Sequence, residues 1–132
     1  MAIQLHTSTL KRLRVRLVIL FGSAATDSAH PLSDLDIGVV FADLSLQRQD
    51  PVGVYGELLA EMQKHFPDQK IDLVYLDETA PGLRFRAVTQ GWPLYEAVTG
   101  GFAEYRAEVM LRYFDFKHYE NIFHASVLGQ SS

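Results

Sequence analysis

The chain has 132 residues, of which 48% are hydrophobic and 21% charged, an ordinary composition for one globular domain. Its formal net charge of −4 argues against a stand-alone nucleic-acid binder, because such modules cluster Lys and Arg against phosphates. The lack of cysteine excludes disulfides and thiolate metal sites. The apolar run LVILF after the basic residues 11–16 is too short for a signal peptide or membrane span, so we expect a soluble, cytoplasmic protein.

The first half of the chain predicts two strands around a polar loop. Thr7 is a candidate cap for a short helix before them. The β-branched run 15–21 indicates a buried strand, and residues 34–41 indicate a second one. Between the two strands, residues 23–30 predict a short helix that Pro31 ends. After the second strand, residues 42–49 predict a loop.

The second half alternates helices and strands. Asp50 and Pro51 are typical of a helix start, and apolar residues then recur at helical spacing to Phe66. Strands are predicted at 70–76 and 92–97, and helices at 81–90 and from 102 to about 124. Because residues 22–33 are barely long enough for a crossover helix, we expect an α/β or α+β fold with a small mixed sheet of three to four strands flanked by helices.

Three carboxylates are candidates for a metal site. Asp34 and Asp36 are two residues apart on a predicted strand, so they share one face of it. Asp72 interrupts an apolar strand, where a buried carboxylate is costly unless it is paired or bound to a metal. Three converging carboxylates repel one another, and Mg²⁺ suits such an oxygen-only site.

Gly22 and Ser23 supply the second half of the predicted chemistry. Glycine lets the backbone approach a phosphate closely, and Ser23 would begin a short helix whose amides bind anions. A metal site beside a phosphate site is what phosphoryl or nucleotidyl transfer requires.

The segment GSAATDSAHPLSDLD, a Gly-Ser pair followed after ten residues by Asp-x-Asp, resembles the signature of the DNA polymerase β-like nucleotidyltransferases. The short chain looks like the minimal nucleotidyltransferase (MNT) branch, whose members act as antitoxins beside HEPN-family toxins. The resemblance implies one nucleotidyltransferase domain over residues 1–132, ATP as substrate, two Mg²⁺ ions, and AMP transfer to a hydroxyl of the toxin, with tyrosine as the expected acceptor. It implies that Asp34, Asp36 and Asp72 are catalytic and bind the metal. It implies that the nucleotide is bound by Gly22, Ser23, Ser33, Asp34 and Asp36.

One departure from the family pattern leaves the phosphate site open. Many relatives have arginine soon after the Gly-Ser pair, where this chain has Ala24, Ala25 and Thr26. Phosphate binding would then depend on backbone amides, on Arg84 or on Arg86.

Two alternatives to AMP transfer onto a toxin also remain open. One is a binding module that neutralises its toxin by contact alone, and the other is a nucleotidyltransferase acting on a small molecule such as an aminoglycoside. The predicted last helix is apolar almost all round, which a single packed face does not require, so we expect it to contact a partner and form a hetero-oligomer.

Overall fold

A four-stranded sheet with the order β3-β2-β1-β4 forms the centre of the protein. The computed structural model describes Leu5, residues 7–22 and residues 34–130. The strands are β1 (Val15–Phe21), β2 (Leu35–Phe41), β3 (Ile71–Tyr75) and β4 (Trp92–Glu96). β1 is antiparallel to both β2 and β4, whereas β2 and β3 are parallel. The predicted small mixed sheet is confirmed, and each predicted strand is correct to within one residue at each end.

The helices in the described part of the chain flank this sheet. They are α1 (Ser8–Arg12), α2 (Ser45–Gln49), α3 (Pro51–His65), α4 (Pro81–Gln90) and α5 (Gly101–Gln130). Thr7 caps α1 by accepting a hydrogen bond from the Thr9 amide at 3.0 Å, as predicted. Among the described helices, none has the length and apolar character needed to cross a membrane.

Two predictions about the helices were wrong. The predicted loop 42–49 contains α2, which begins where the Asp43 side chain accepts a hydrogen bond from the Ser45 amide at 2.7 Å. This hydrogen bond satisfies the first amide of a helix whose five residues are too few to show a periodic apolar pattern in the sequence. α5 extends to Gln130, beyond the predicted end near residue 124. The helix predicted for residues 23–30 lies outside the described residues.

Both faces of the sheet are covered, so the fold has two apolar clusters. α1 and α3 cover one face, where Leu10 and Leu58 are fully buried against Ile37. α4 and α5 cover the other face, where Ala87 and Phe102 pack with β1. Side chains alternate between the two faces along each strand. Because both faces are covered, β1 and β2 are apolar on both sides.

Candidate active site

The strand register brings two of the predicted acids side by side. Asp36 is paired with Phe21 of β1 on one side and with Asp72 of β3 on the other. Neighbouring strands lie about 4.8 Å apart, so the two acids are immediate neighbours across β2 and β3. At the end of the sheet where β1 stops, the fold therefore brings together two carboxylates that are 36 positions apart in sequence.

These acids lie on the face of the sheet that α4 and α5 cover. Phe21 belongs to the apolar cluster beneath these helices, and directly opposed residues of paired strands point to the same side. Val40 and Val74 continue the same side of β2 and β3 and belong to or pack on the same cluster. The end of this face is therefore polar, and its middle is the apolar contact with α4 and α5.

Asp72 does not occupy the buried position that its apolar neighbours predicted. β3 is an edge strand, and Asp72 is exposed between the buried residues Ile71 and Leu73. The expectation of a carboxylate inside a buried strand was wrong, because the alternation of side chains buries only one face of β3 at this end. Asp72 is instead open to solvent and to a large molecule approaching the sheet edge.

The surroundings of Asp36 raise the pKa of its carboxyl. Partial burial raises the pKa of the Asp36 carboxyl above its ordinary value, and the charge of Asp72, hydrogen bonding with Asp72 and the charge of Asp34 raise it further. The charge of Arg86 opposes this rise in pKa. The site thus concentrates negative charge that an added cation would relieve.

Gly22 is fitted against this carboxylate. Its φ of +73° is one that residues with a side chain rarely adopt, and a Cβ built there would lie 2.1 Å from Asp36 Oδ2. Both facts require glycine at this position. Its predicted partners Ser23 and Ser33 lie outside the described residues, as do Ala24, Ala25 and Thr26.

Two basic side chains flank the acids. Lys70 Nζ lies 4.0 Å from Asp34 Oδ2, and both side chains are exposed, so the pair adds little stability. Arg86 on α4 is close enough to Asp36 to act on its carboxylate. Lys70 was not among the candidate residues predicted from the sequence. It lies two residues before Asp72, a spacing that puts both side chains on the same side of a strand, and this spacing was the available signal.

The donor atoms of these acids fit Mg²⁺, which prefers carboxylate oxygens and retains several waters. Asp36 and Asp72 in adjacent strands, with Asp34 just before β2, provide an all-oxygen set. Within residues 7–22 and 34–130, no three acidic or histidine side chains are placed closely enough to form a complete metal site by themselves. Metal binding by Asp34, Asp36 and Asp72 therefore stays a prediction.

The comparison with protein families gives the class of the molecule. The family model described as polymerase beta, nucleotidyltransferase matches residues 4–99, which is more than half of the chain. The chain therefore belongs to the polymerase β nucleotidyltransferase family and is a nucleotidyltransferase by class. No curated protein sequence matches it significantly.

Solved structures share the fold over nearly the whole chain. A chain in the crystal structure of a toxin–antitoxin with AMP-PNP is 24% identical, with a TM-score of 0.65 over 91% of this chain and 93% of that one. A structure of tri-AMPylated Shewanella oneidensis HEPN toxin in complex with MNT antitoxin gives 23% identity and a TM-score of 0.60 over 91% and 90%. The toxin–antitoxin MntA–HepT gives 22% identity and 0.58 over 91% of both chains. At these identities the likeness establishes the nucleotidyltransferase fold, as the sequence predicted.

Proposed function

We propose that this chain, as a single minimal nucleotidyltransferase domain, transfers AMP from ATP to a hydroxyl of a HEPN-type toxin and so acts as its antitoxin. The observation that supports this most is the register of β2 and β3, which sets Asp36 beside Asp72 at the end of β1 where Gly22 follows. Carboxylates next to a close-approach glycine are the parts that nucleotidyl transfer needs.

In this proposal Asp34, Asp36 and Asp72 hold Mg²⁺, with two ions as the expected number. Bound Mg²⁺ would neutralise the charge of the triphosphate and of the departing pyrophosphate. The phosphates would be contacted by Gly22, Ser23 and Ser33.

The proposed reaction is an in-line displacement on the α-phosphorus of ATP. The acceptor oxygen forms a bond to that phosphorus as the bond to the bridging oxygen of the β-phosphate breaks, and pyrophosphate leaves. The acceptor hydroxyl loses its proton to Asp72, which the exposed edge position makes reachable. Open access at the sheet edge favours a protein acceptor over one that must enter an enclosed pocket.

Two observations support a toxin as the acceptor, and we propose a tyrosine as the modified residue. The fold is shared with chains in toxin–antitoxin complexes, one of which contains a tri-AMPylated HEPN toxin. In addition, α5 exposes many apolar side chains over residues 111–127, which we call the projecting segment, and Tyr113 and Phe114 at its start still contact Phe85 of α4. Its exposed large hydrophobic residues are Leu111, Phe114, Phe116, Tyr119, Ile122, Phe123 and Val127.

The projecting segment continues the stripe by which α5 packs on its own sheet. Phe102, Val109, Phe116 and Phe123 recur every seven residues and so lie on nearly one face of the helix. The first two are buried in the apolar cluster, whereas Phe116 and Phe123 are 43% and 65% exposed. An apolar helix face of this length is typical of a docking surface for another helical protein, which is our proposed toxin contact.

The test is transfer of label from α-³²P-ATP to the purified toxin encoded beside this chain, in the presence of Mg²⁺. We expect labelling of a toxin tyrosine and its loss in the double variant Asp34→Asn with Asp36→Asn. The matched control, Asp68→Asn with Glu104→Gln, removes two exposed acids elsewhere and should label normally. Absence of label with the unaltered chain would contradict the proposal.

The projecting segment also supports a second candidate, neutralisation by contact alone. In that case the double variant Asp34→Asn with Asp36→Asn would still bind the toxin and suppress its nuclease activity. Binding retained with neutralisation lost would exclude the contact-only alternative.

A further inference from the structure

α4 brings a basic residue to the acidic end of the sheet. Ala87 and Val88 of α4 are buried in the cluster that contains Phe21, one strand from Asp36. The helix is held close to β1, because a Cβ at Gly91 would lie 2.8 Å from Ile19 Cγ2. Arg86 precedes the buried pair and is exposed.

Arg86 is not committed to holding the fold together. Its side chain makes no hydrogen bond or ion pair with any residue that the structure describes, although its charge acts on Asp36. Arg84 differs, since its Nη2 donates to the Thr79 carbonyl at 2.8 Å, while its buried Nε has no hydrogen-bond partner among the described residues. Of the two arginines that the sequence left open, Arg84 ties α4 to the preceding turn and Arg86 is available for a ligand.

The segment after Gly22 provides no competing cation. Residues 23–33 contain neither Lys nor Arg, so any permanent positive charge at the phosphate site comes from another element. Lys70 Nζ lies 4.0 Å from Asp34 Oδ2, whereas Arg86 carries its guanidinium on the helix that covers this face of the sheet, and its charge acts on Asp36. A guanidinium binds phosphate oxygens through two parallel hydrogen bonds, which a lysine ammonium does not reproduce.

We propose that Arg86 is a nucleotide-binding residue that contacts the β- and γ-phosphates of ATP from α4. It would supply the permanent positive charge that residues 23–33 lack. The inference rests on the proposed function, since it assigns a role at the same site. In this role Arg86 binds the phosphates and does not only offset the charge of Asp36.

The test measures binding of ATP and of AMP to the full chain by calorimetry in the presence of Mg²⁺, without any toxin. Losing a charge-assisted bidentate contact should weaken ATP binding about 10- to 100-fold in Arg86→Ala. AMP has no β- or γ-phosphate, so its binding should change less than about twofold. Arg86→Lys should fall between the two proteins for ATP, because it keeps the charge and loses the paired geometry.

Arg48→Ala is the matched control, since Arg48 is an exposed arginine on α2, which follows the opposite end of β2. It should bind both nucleotides normally. Equal ATP affinity in Arg86→Ala and the unaltered chain would overturn the role of Arg86 alone, as would an equal loss of AMP binding. An unaltered chain that binds no ATP would instead overturn the proposed function, and the role of Arg86 with it.

Discussion

The ionised carboxylate of Asp36 is unfavourable for the stability of the fold. Its pKa is raised by burial and by two acidic neighbours, so the ionised carboxylate is less favourable in the folded chain than in the unfolded chain. A raised folded-state pKa contributes stability below the ordinary value of 3.8, and that contribution is lost as the pH rises through the folded-state pKa. At neutral pH the charge of Asp36 therefore destabilises the fold.

Replacing this charge should stabilise the protein while abolishing transfer. We expect Asp36→Asn to raise the free energy of unfolding at pH 7 by about 0.5–1 kcal/mol, a small figure because water reaches the side chain. Urea denaturation at pH 7 and at pH 3 would measure the change. The gain should disappear at pH 3, where Asp36 is protonated, and a gain of equal size at both pH values would show that charge is not its cause.

Gly22 should be irreplaceable for reasons of backbone and space together. We expect Gly22→Ala to lower the free energy of unfolding by about 1–3 kcal/mol, because of its positive φ and the close approach to Asp36. Gly56→Ala is the control, since Gly56 lies within α3 with nothing near its missing Cβ. That change should stabilise by about 0.5–1 kcal/mol through helix propensity. Equal effects of the two variants in urea denaturation would contradict this account.

At the scale of elements, α5 has two parts with different roles. Its first turns pack on the sheet and α4, and Phe85 of α4 stacks on Tyr113 with ring centroids 4.2 Å apart. Beyond this contact, no residue of the helix up to Leu128 is buried. The sequence identified an excess of apolar residues on this helix, but which ones are exposed followed only from where the sheet ends.

The anchored part of α5 depends on a buried tyrosine. The Tyr105 hydroxyl donates to Asp77 Oδ1 at 2.8 Å, and the Arg16 guanidinium lies 5.3 Å from the centre of its ring. Burial is the first cause of its raised pKa, and the bond to Asp77 adds to it. We expect Tyr105→Phe to cost about 1 kcal/mol in urea denaturation, the usual contribution of one hydrogen bond. Tyr119→Phe, at a 68% exposed position, should cost nothing measurable.

The projecting segment should matter for a partner and not for the fold. We expect Phe116→Ser with Phe123→Ser to leave the melting temperature of the isolated chain unchanged, because both side chains are exposed. Affinity for the toxin should fall about 100-fold or more, as for central aromatic residues of an interface. Val52→Ser, which changes an 83% exposed apolar residue on α3, is the control for solubility. Unchanged toxin affinity in surface plasmon resonance would place the interface elsewhere.

At the scale of the whole molecule, the acidic end of the sheet should couple metal binding to stability. An ion bound only by the folded chain stabilises it by about 1.4 kcal/mol at ten times its dissociation constant. We expect Mg²⁺ to raise the melting temperature by about 5 °C under those conditions. The variant Asp34→Asn with Asp36→Asn should show no such rise, and NaCl at equal ionic strength controls for screening. An equal rise in the variant would place the ion at another site.

The sequence determined the elements and the chemistry, because both are local. Apolar runs define the four strands, and the spacing from Gly22 to Asp36 identifies the nucleotidyltransferase family, in agreement with the family match over residues 4–99. Caps at Thr7 and Asp50 were also readable, since each involves hydrogen bonds within three residues. The hydrogen bond between the Ser45 amide and Asp43 was local too, but the five-residue helix α2 was too short to leave a periodic signal.

Only the tertiary structure decided how distant residues combine. Strand register, which no local pattern contains, sets Asp36 beside Asp72 and puts β3 at the edge, so that Asp72 is exposed where the sequence predicted burial. The packing of α4 on β1 separates Arg86, which is exposed and whose charge acts on Asp36, from Arg84, which is bonded to the preceding turn. These choices depend on long-range burial of apolar surface, whose outcome is fixed by the whole fold and not by any one segment.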